Sequence, residues 1–192
     1  MNNFIVRTIT GVLFVAVLVC SFLRPQAMVL LFALITGLTI WEFTGLVNDR
    51  EKVTVNRLIS TVAGVYLFFA MAGFCSEITP SAVFIPYLVS IIYLMVAELY
   101  LKNEDPIHDW AYTMMAQLYI ALPFSMLNTL AFHTAPQGFV TYDAVLPLSV
   151  FVFLWMNDTG AYLCVRCWAN INSFPAFRQE RVGRVALAVA FW

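Results

Sequence analysis

Asn157, Asp158, Thr159 and Gly160 follow directly on the apolar run from Val150 to Met156, and Ala161, Tyr162, Leu163 and Cys164 continue beyond them. A carboxylate in such a run costs about 3 kcal/mol where it borders hydrocarbon, so it turns to a cavity, water or a partner. Ionised, Asp158 only accepts hydrogen bonds, which suits a hard divalent cation with oxygen ligands. Asn157 and Thr159 add neutral oxygens, and Gly160 lets a backbone or a phosphate approach closely. Mg²⁺ is usually held by one or two carboxylates together with substrate phosphates. A helix end capped by Asn, Asp, Thr and Gly explains the same string, and composition alone does not separate the two readings.

Other polar residues are open to two readings as well. Glu42, in Trp41-Glu42-Phe43-Thr44-Gly45-Leu46, lies five residues before its apolar run ends, where it serves a site or snorkels to water. Glu98, near the end of another run, reads as interfacial. Arg7, with Thr8, Thr10 and Gly11, opens the first run either as an interfacial anchor or as a grip on a lipid phosphate. His108 and His133 are placed in loops without a second ligand at metal spacing, and so read as structural. Cys20 and Cys75 sit inside apolar runs as small buried hydrophobes. Cys164 and Cys167 have CxxC spacing, weak without a second pair.

The elements carrying these residues follow from composition. The 192 residues are 62% hydrophobic and 11% charged, with mean hydropathy +0.84. Soluble domains run about 45–50% apolar and about 25% charged, so a water-soluble fold and a disordered chain are both excluded. Net charge is −1 with no basic block, so the footprint for nucleic acid is missing. The first apolar stretch ends at Arg24-Pro25 rather than at a signal-peptide cleavage site.

A helix needs about 20 apolar residues to cross the hydrocarbon core. Six runs qualify: residues 5–23, 27–47, 58–74, 83–101, 110–132, with Pro123 as a kink, and 145–163. The expectation is an all-α, polytopic transmembrane bundle of about six spans. A cytoplasmic N-terminus puts Arg7, Arg50, Lys52, Arg57 and Lys102 on the cytoplasmic side and leaves only Arg24 opposite, as the positive-inside rule favours. The end of the sixth run, with Asp158, then faces nucleotides and Mg²⁺. No internal repeat is visible.

The segment Phe153-Leu-Trp-Met-Asn-Asp-Thr-Gly-Ala-Tyr-Leu-Cys164 closely resembles the bacterial phosphatidate cytidylyltransferases, also called CDP-diacylglycerol synthases. Arg7-Thr8-Ile9-Thr10-Gly11 and the Glu42 segment resemble the family's N-terminal elements, so the likeness covers residues 1–164. It implies transfer of a cytidylyl group from CTP to phosphatidate with release of diphosphate, for phospholipid biosynthesis in a bacterial inner membrane. It also implies Asp158 as a catalytic carboxylate and Mg²⁺ ligand. Asn157, Thr159, Gly160, Tyr162, Arg7 and Glu42 are then expected to bind substrate. The expected partners are CTP, phosphatidate, the bilayer and, among assemblies, a homodimer.

After Cys164 the resemblance stops. Where the family carries a Gly-Lys-rich run, this chain reads Val165-Arg-Cys-Trp-Ala-Asn-Ile-Asn-Ser-Phe174. Restoring one G after the Cys164 codon regroups the following codons. Cys167-Trp168 then yields Leu, and Trp168-Ala169 yields Gly, whichever codons are used. Permitted codons elsewhere give Gly-Ser-Leu-Leu-Gly-Lys-His-Lys-Leu-Phe. Residues 165–192 are therefore expected to be a shifted-frame tail on a 1–164 membrane domain. Without the family's lysines and its second carboxylate motif, the chain is expected to have negligible transferase activity. The alternatives are a transporter or channel fragment with Asp158 and Glu42 along an ion path, a related CTP-dependent lipid kinase or nucleotidyltransferase, and a non-catalytic scaffold.

Overall fold

The computed structural model describes residues 3–51, 53–100, 106–136 and 138–169. Helix α1 (Asn3–Ser21) leads through a tight turn into α2 (Pro25–Arg50). Pro25 suits a helix start, where its missing N–H costs nothing, and Arg24 before it is extended at φ −138°. Asn56 opens α3 (Arg57–Cys75), its side-chain oxygen accepting from the Ile59 N–H at 3.0 Å. A 3₁₀ turn (Ser81–Phe84) precedes α4 (Ile85–Tyr100).

The next span is not one continuous α-helix. It comprises α5 (Pro106–Met115), a π-helical segment (Ala116–Ala121) and α6 (Leu122–Ala131). Pro123 has no N–H to donate, and its ring crowds the carbonyl four residues back. Where a kink is expected, the structure has a π-helical segment ending just before Pro123, in which the Leu122 N–H reaches back five residues to the Gln117 carbonyl. Beyond α6, β1 (Phe132–Thr134) pairs antiparallel with β2 (Val140–Tyr142), His133 opposite Thr141, and α7 (Val145–Ala169) follows.

Helices thus cover all six apolar runs. Four segments, Pro25–Arg50, Arg57–Cys75, Ser81–Tyr100 and Pro106–Ala131, are long and apolar enough to cross a membrane. The apolar stretches Ile9–Ser21 and Val145–Ala161 are shorter. The β-hairpin is an addition to the all-α expectation. It also moves His133 from a loop to β1, while His108 falls in α5, and both are exposed.

The chain divides into two compact units, residues 1–147 and 148–192. In the first, Phe22, Met28, Phe32, Ile40, Phe68 and Leu94 are buried almost completely. Small residues line the helix contacts, as expected where lipid supplies no hydrophobic drive and close approach must do so. A Cβ on Gly64 would collide with the Ile40 side chain and stand 3.2 Å from Ala121 Cβ, so glycine there lets α2, α3 and the π-helical segment meet. Large apolar side chains face outward: Leu30, Leu34 and Leu38 form an exposed stripe along α2. The thiols depart from expectation, for Cys20 is exposed and Cys75 only partly covered. In a bilayer, an apolar position is as well satisfied facing lipid as facing protein. The expected boundary after Cys164 falls within α7; the tail from residue 170 and the side chains of Cys164 and Cys167 lie outside the described residues.

Candidate functional site

Asn157, Asp158, Thr159, Gly160 and Tyr162 lie on an unbroken stretch of α7, which continues to Ala169 rather than ending at the polar string. The helix-end explanation of the string therefore fails: no capping role exists in mid-helix, where Asn, Asp, Thr and Gly all weaken a helix relative to Ala. Asp158 is half-buried, while Asn157 and Thr159 are exposed. Nothing stands within 4 Å of where a Cβ on Gly160 would be, leaving the backbone there open to a ligand. Tyr162 follows Asp158 by one turn, four residues on, the spacing at which helix positions neighbour one another. Its side chain lies outside the described residues.

The other two expected site residues belong to α2 and α1. Glu42 is exposed on α2. Arg7 belongs to α1, its side chain outside the described residues. Among the described residues no three His, Cys, Asp or Glu side chains gather into a metal centre. On the helix Asn157 and Thr159 project about 100° to either side of Asp158, so the protein donor here is a single carboxylate, which fits Mg²⁺ only when substrate phosphates complete its coordination.

A second polar region lies in the first unit, at positions the sequence does not signal. Asp109, 1% exposed at the start of α5, accepts the Thr54 N–H at 2.6 Å and the Thr54 hydroxyl at 2.9 Å. The Asn48 amide donates to the Val55 carbonyl and accepts the Val55 N–H, each at 2.9 Å. These two side chains, from α5 and α2, fasten the segment between α2 and α3. Gln117 Nε2 donates to the Ser60 carbonyl at 2.8 Å, joining the π-helical segment to α3. Glu98, expected at the interface, is instead 2% exposed. The signal for Asp109 was weak because an acid in a first helical turn is ordinary dipole complementarity.

Against known proteins, the sequence model of the cytidylyltransferase family matches residues 5–175. No curated protein and no solved structure matches the chain.

Proposed function

From its membership of the cytidylyltransferase family, which implies CTP as a substrate, we propose that this membrane protein descends from enzymes that transfer the cytidylyl group to phosphatidate, with Asp158 as the reactive centre's carboxylate. The observation that carries this reading is the half-buried Asp158 in mid-helix, flanked by exposed Asn157 and Thr159 and the uncovered Gly160. Bound Mg²⁺ would offset the triphosphate's charge as phosphorus is attacked. Asp158 would hold the metal, Asn157 and Thr159 would offer substrate neutral oxygens from either side of it on the helix, and Gly160 would admit a phosphate to the backbone. Tyr162, one helical turn beyond Asp158, belongs to the same proposal, and Arg7 and Glu42 keep the substrate-binding role that the resemblance implies.

In the proposed reaction, a phosphatidate oxygen forms a bond to the α-phosphorus of CTP, and the bond to the β-phosphate bridge breaks, releasing diphosphate. The attacking group is already an anion, so no Ser or Cys nucleophile and no general base is required. Positioning and charge compensation supply the rate. The membrane orientation that suits it places the N-terminus and the far end of α7 in the cytoplasm of a bacterial cell, with CTP. A homodimer belongs to the same proposal.

Residues 165–192 belong to the proposal as a shifted-frame tail, so that the 192-residue chain itself turns over little or no CTP. The test compares membranes expressing this chain with membranes expressing the gene restored by one G after the Cys164 codon, both given labelled CTP and phosphatidate. Labelled CDP-diacylglycerol from the restored form alone is expected. Full turnover by the 192-residue chain would overturn the frame proposal, and absence of product from both would overturn phosphatidate as acceptor.

A further inference from the structure

Helices α2 and α3 leave between them an open apolar groove of about 590 Å³, bordered by Leu30, Leu34, Leu38 and Trp41 on α2 and by Val65 and Phe69 on α3. From Leu30 to Trp41 is eleven residues, about 16 Å of helix at 1.5 Å per residue. That is about half of the ~30 Å hydrocarbon thickness, the depth of one leaflet.

A fixed cation stands at one end. Arg57, the first residue of α3, lies one turn before the groove residue Thr61. Its guanidinium carbon sits 4.2 Å over the Trp41 ring, and Nη2 donates to the Trp41 carbonyl at 2.9 Å. The Thr44 hydroxyl, which donates to the Ile40 carbonyl at 2.7 Å, also lies 3.2 Å from the Trp41 carbonyl. A Cβ on Gly45 would come within 2.7 Å of Nη2 and 2.8 Å of the guanidinium carbon, so glycine is what allows Arg57 to lie flat across α2. Nε is buried without a hydrogen-bond partner. Guanidinium is a planar five-donor fork suited to phosphate, and neither a ring nor a carbonyl neutralises its charge.

A slot one leaflet deep with a charge at its mouth is the complement of an anionic amphiphile. We propose that this groove binds one anionic phospholipid, an acyl chain lying between Leu34 and Phe69 and the headgroup phosphate meeting Arg57. The apolar slot accepts the chain of any lipid; Arg57 selects the anionic headgroup. The site stands independently of the Asp158 reading and of CTP turnover.

Delipidated 192-residue chain, titrated in detergent with phosphatidylglycerol or phosphatidylcholine of identical acyl chains and read by native mass spectrometry, tests this. The first phosphatidylglycerol should bind at least about five-fold more tightly than phosphatidylcholine, the ratio one fixed cation supplies near an anionic lipid. Arg57→Gln should bring that ratio near one while leaving phosphatidylcholine binding in place. Arg50→Gln, at the exposed end of α2, should leave the ratio unchanged. Leu34→Trp fills the slot from an exposed position without touching Arg57, and should weaken both lipids. Equal binding of the two lipids to the unaltered chain would overturn the proposal. So would a ratio that survives Arg57→Gln, a ratio lost in Arg50→Gln, or undiminished binding in Leu34→Trp. The Leu34→Trp result decides the matter if Arg57→Gln fails to fold.

Discussion

The polar residues of the first unit and those of α7 are chemically alike but differently committed. Asp109, 1% exposed, spends both carboxylate oxygens on Thr54, and Asn48 spends both ends of its amide on Val55. Asn157 and Thr159 are exposed, Asp158 is half-buried, and no described residue hydrogen-bonds to any of the three side chains. In low dielectric an unspent polar group is costly, so the first set is explained by the architecture it joins. The second set has no such explanation, and the proposed substrate and metal would supply one. Burial of a carboxylate in a membrane bundle is therefore a poorer guide to chemistry than whether its lone pairs are already taken.

Substitutions at the two carboxylates break this comparison most sharply. Asp158→Asn in the frame-restored gene should lower CTP-dependent product formation by about 10²–10³-fold, the size of losing one electrostatic stabiliser, with helicity by circular dichroism unchanged. Asp109→Ala should instead lower stability by about 3 kcal/mol, because two charge-assisted hydrogen bonds vanish and the Thr54 N–H loses its acceptor. Reversible unfolding in mixed micelles measures it. Reversed outcomes, with Asp158 setting stability and Asp109 setting turnover alone, would invert the assignment of the two regions.

Smaller effects sharpen the picture of the first unit. Gly64→Ala should destabilise it by about 1–3 kcal/mol, since the added methyl meets Ile40 and Ala121 across a close helix contact. The same measurement reads it, and a neutral result would mean α2 and α3 are free to part. Tyr142→Phe should cost about 1 kcal/mol by removing the 3.0 Å hydrogen bond to the Phe22 carbonyl. Burial, with a contribution from neighbouring Asp143, holds the Tyr142 hydroxyl above the ordinary tyrosine range. The folded state therefore keeps this proton longer than the unfolded state does. Its contribution is complete below the unfolded value near 10 and falls as pH rises from there through the higher folded value. An alkaline unfolding titration should show that loss, and Tyr142→Phe should flatten it.

The helices were legible because span length and charge breaks are one-dimensional signals. The faces were not. Along α2, Phe32, Thr36, Ile40 and Thr44 turn inward while Leu30, Leu34 and Leu38 turn out, so the interior stripe is the more polar one. An expectation trained on water-soluble helices points the wrong way. Glu98 was misplaced for a related reason: nearness to a helix end resembles interfacial snorkelling, whereas tertiary packing puts it inside. The π-helical segment was half legible, Pro123 announcing a break but not which hydrogen bonds would re-register. At the candidate site, residue types stood out against their apolar run. Their continuation as mid-helix positions, which removed the capping explanation, needed the backbone.

The most direct measurement is Mg²⁺-dependent formation of CDP-diacylglycerol from CTP and phosphatidate in membranes of the frame-restored gene, with and without Asp158→Asn. The account predicts product from the restored enzyme and a loss of about a hundred-fold or more when the carboxylate becomes an amide. Equal product from both, with equal amounts of folded protein, would contradict it.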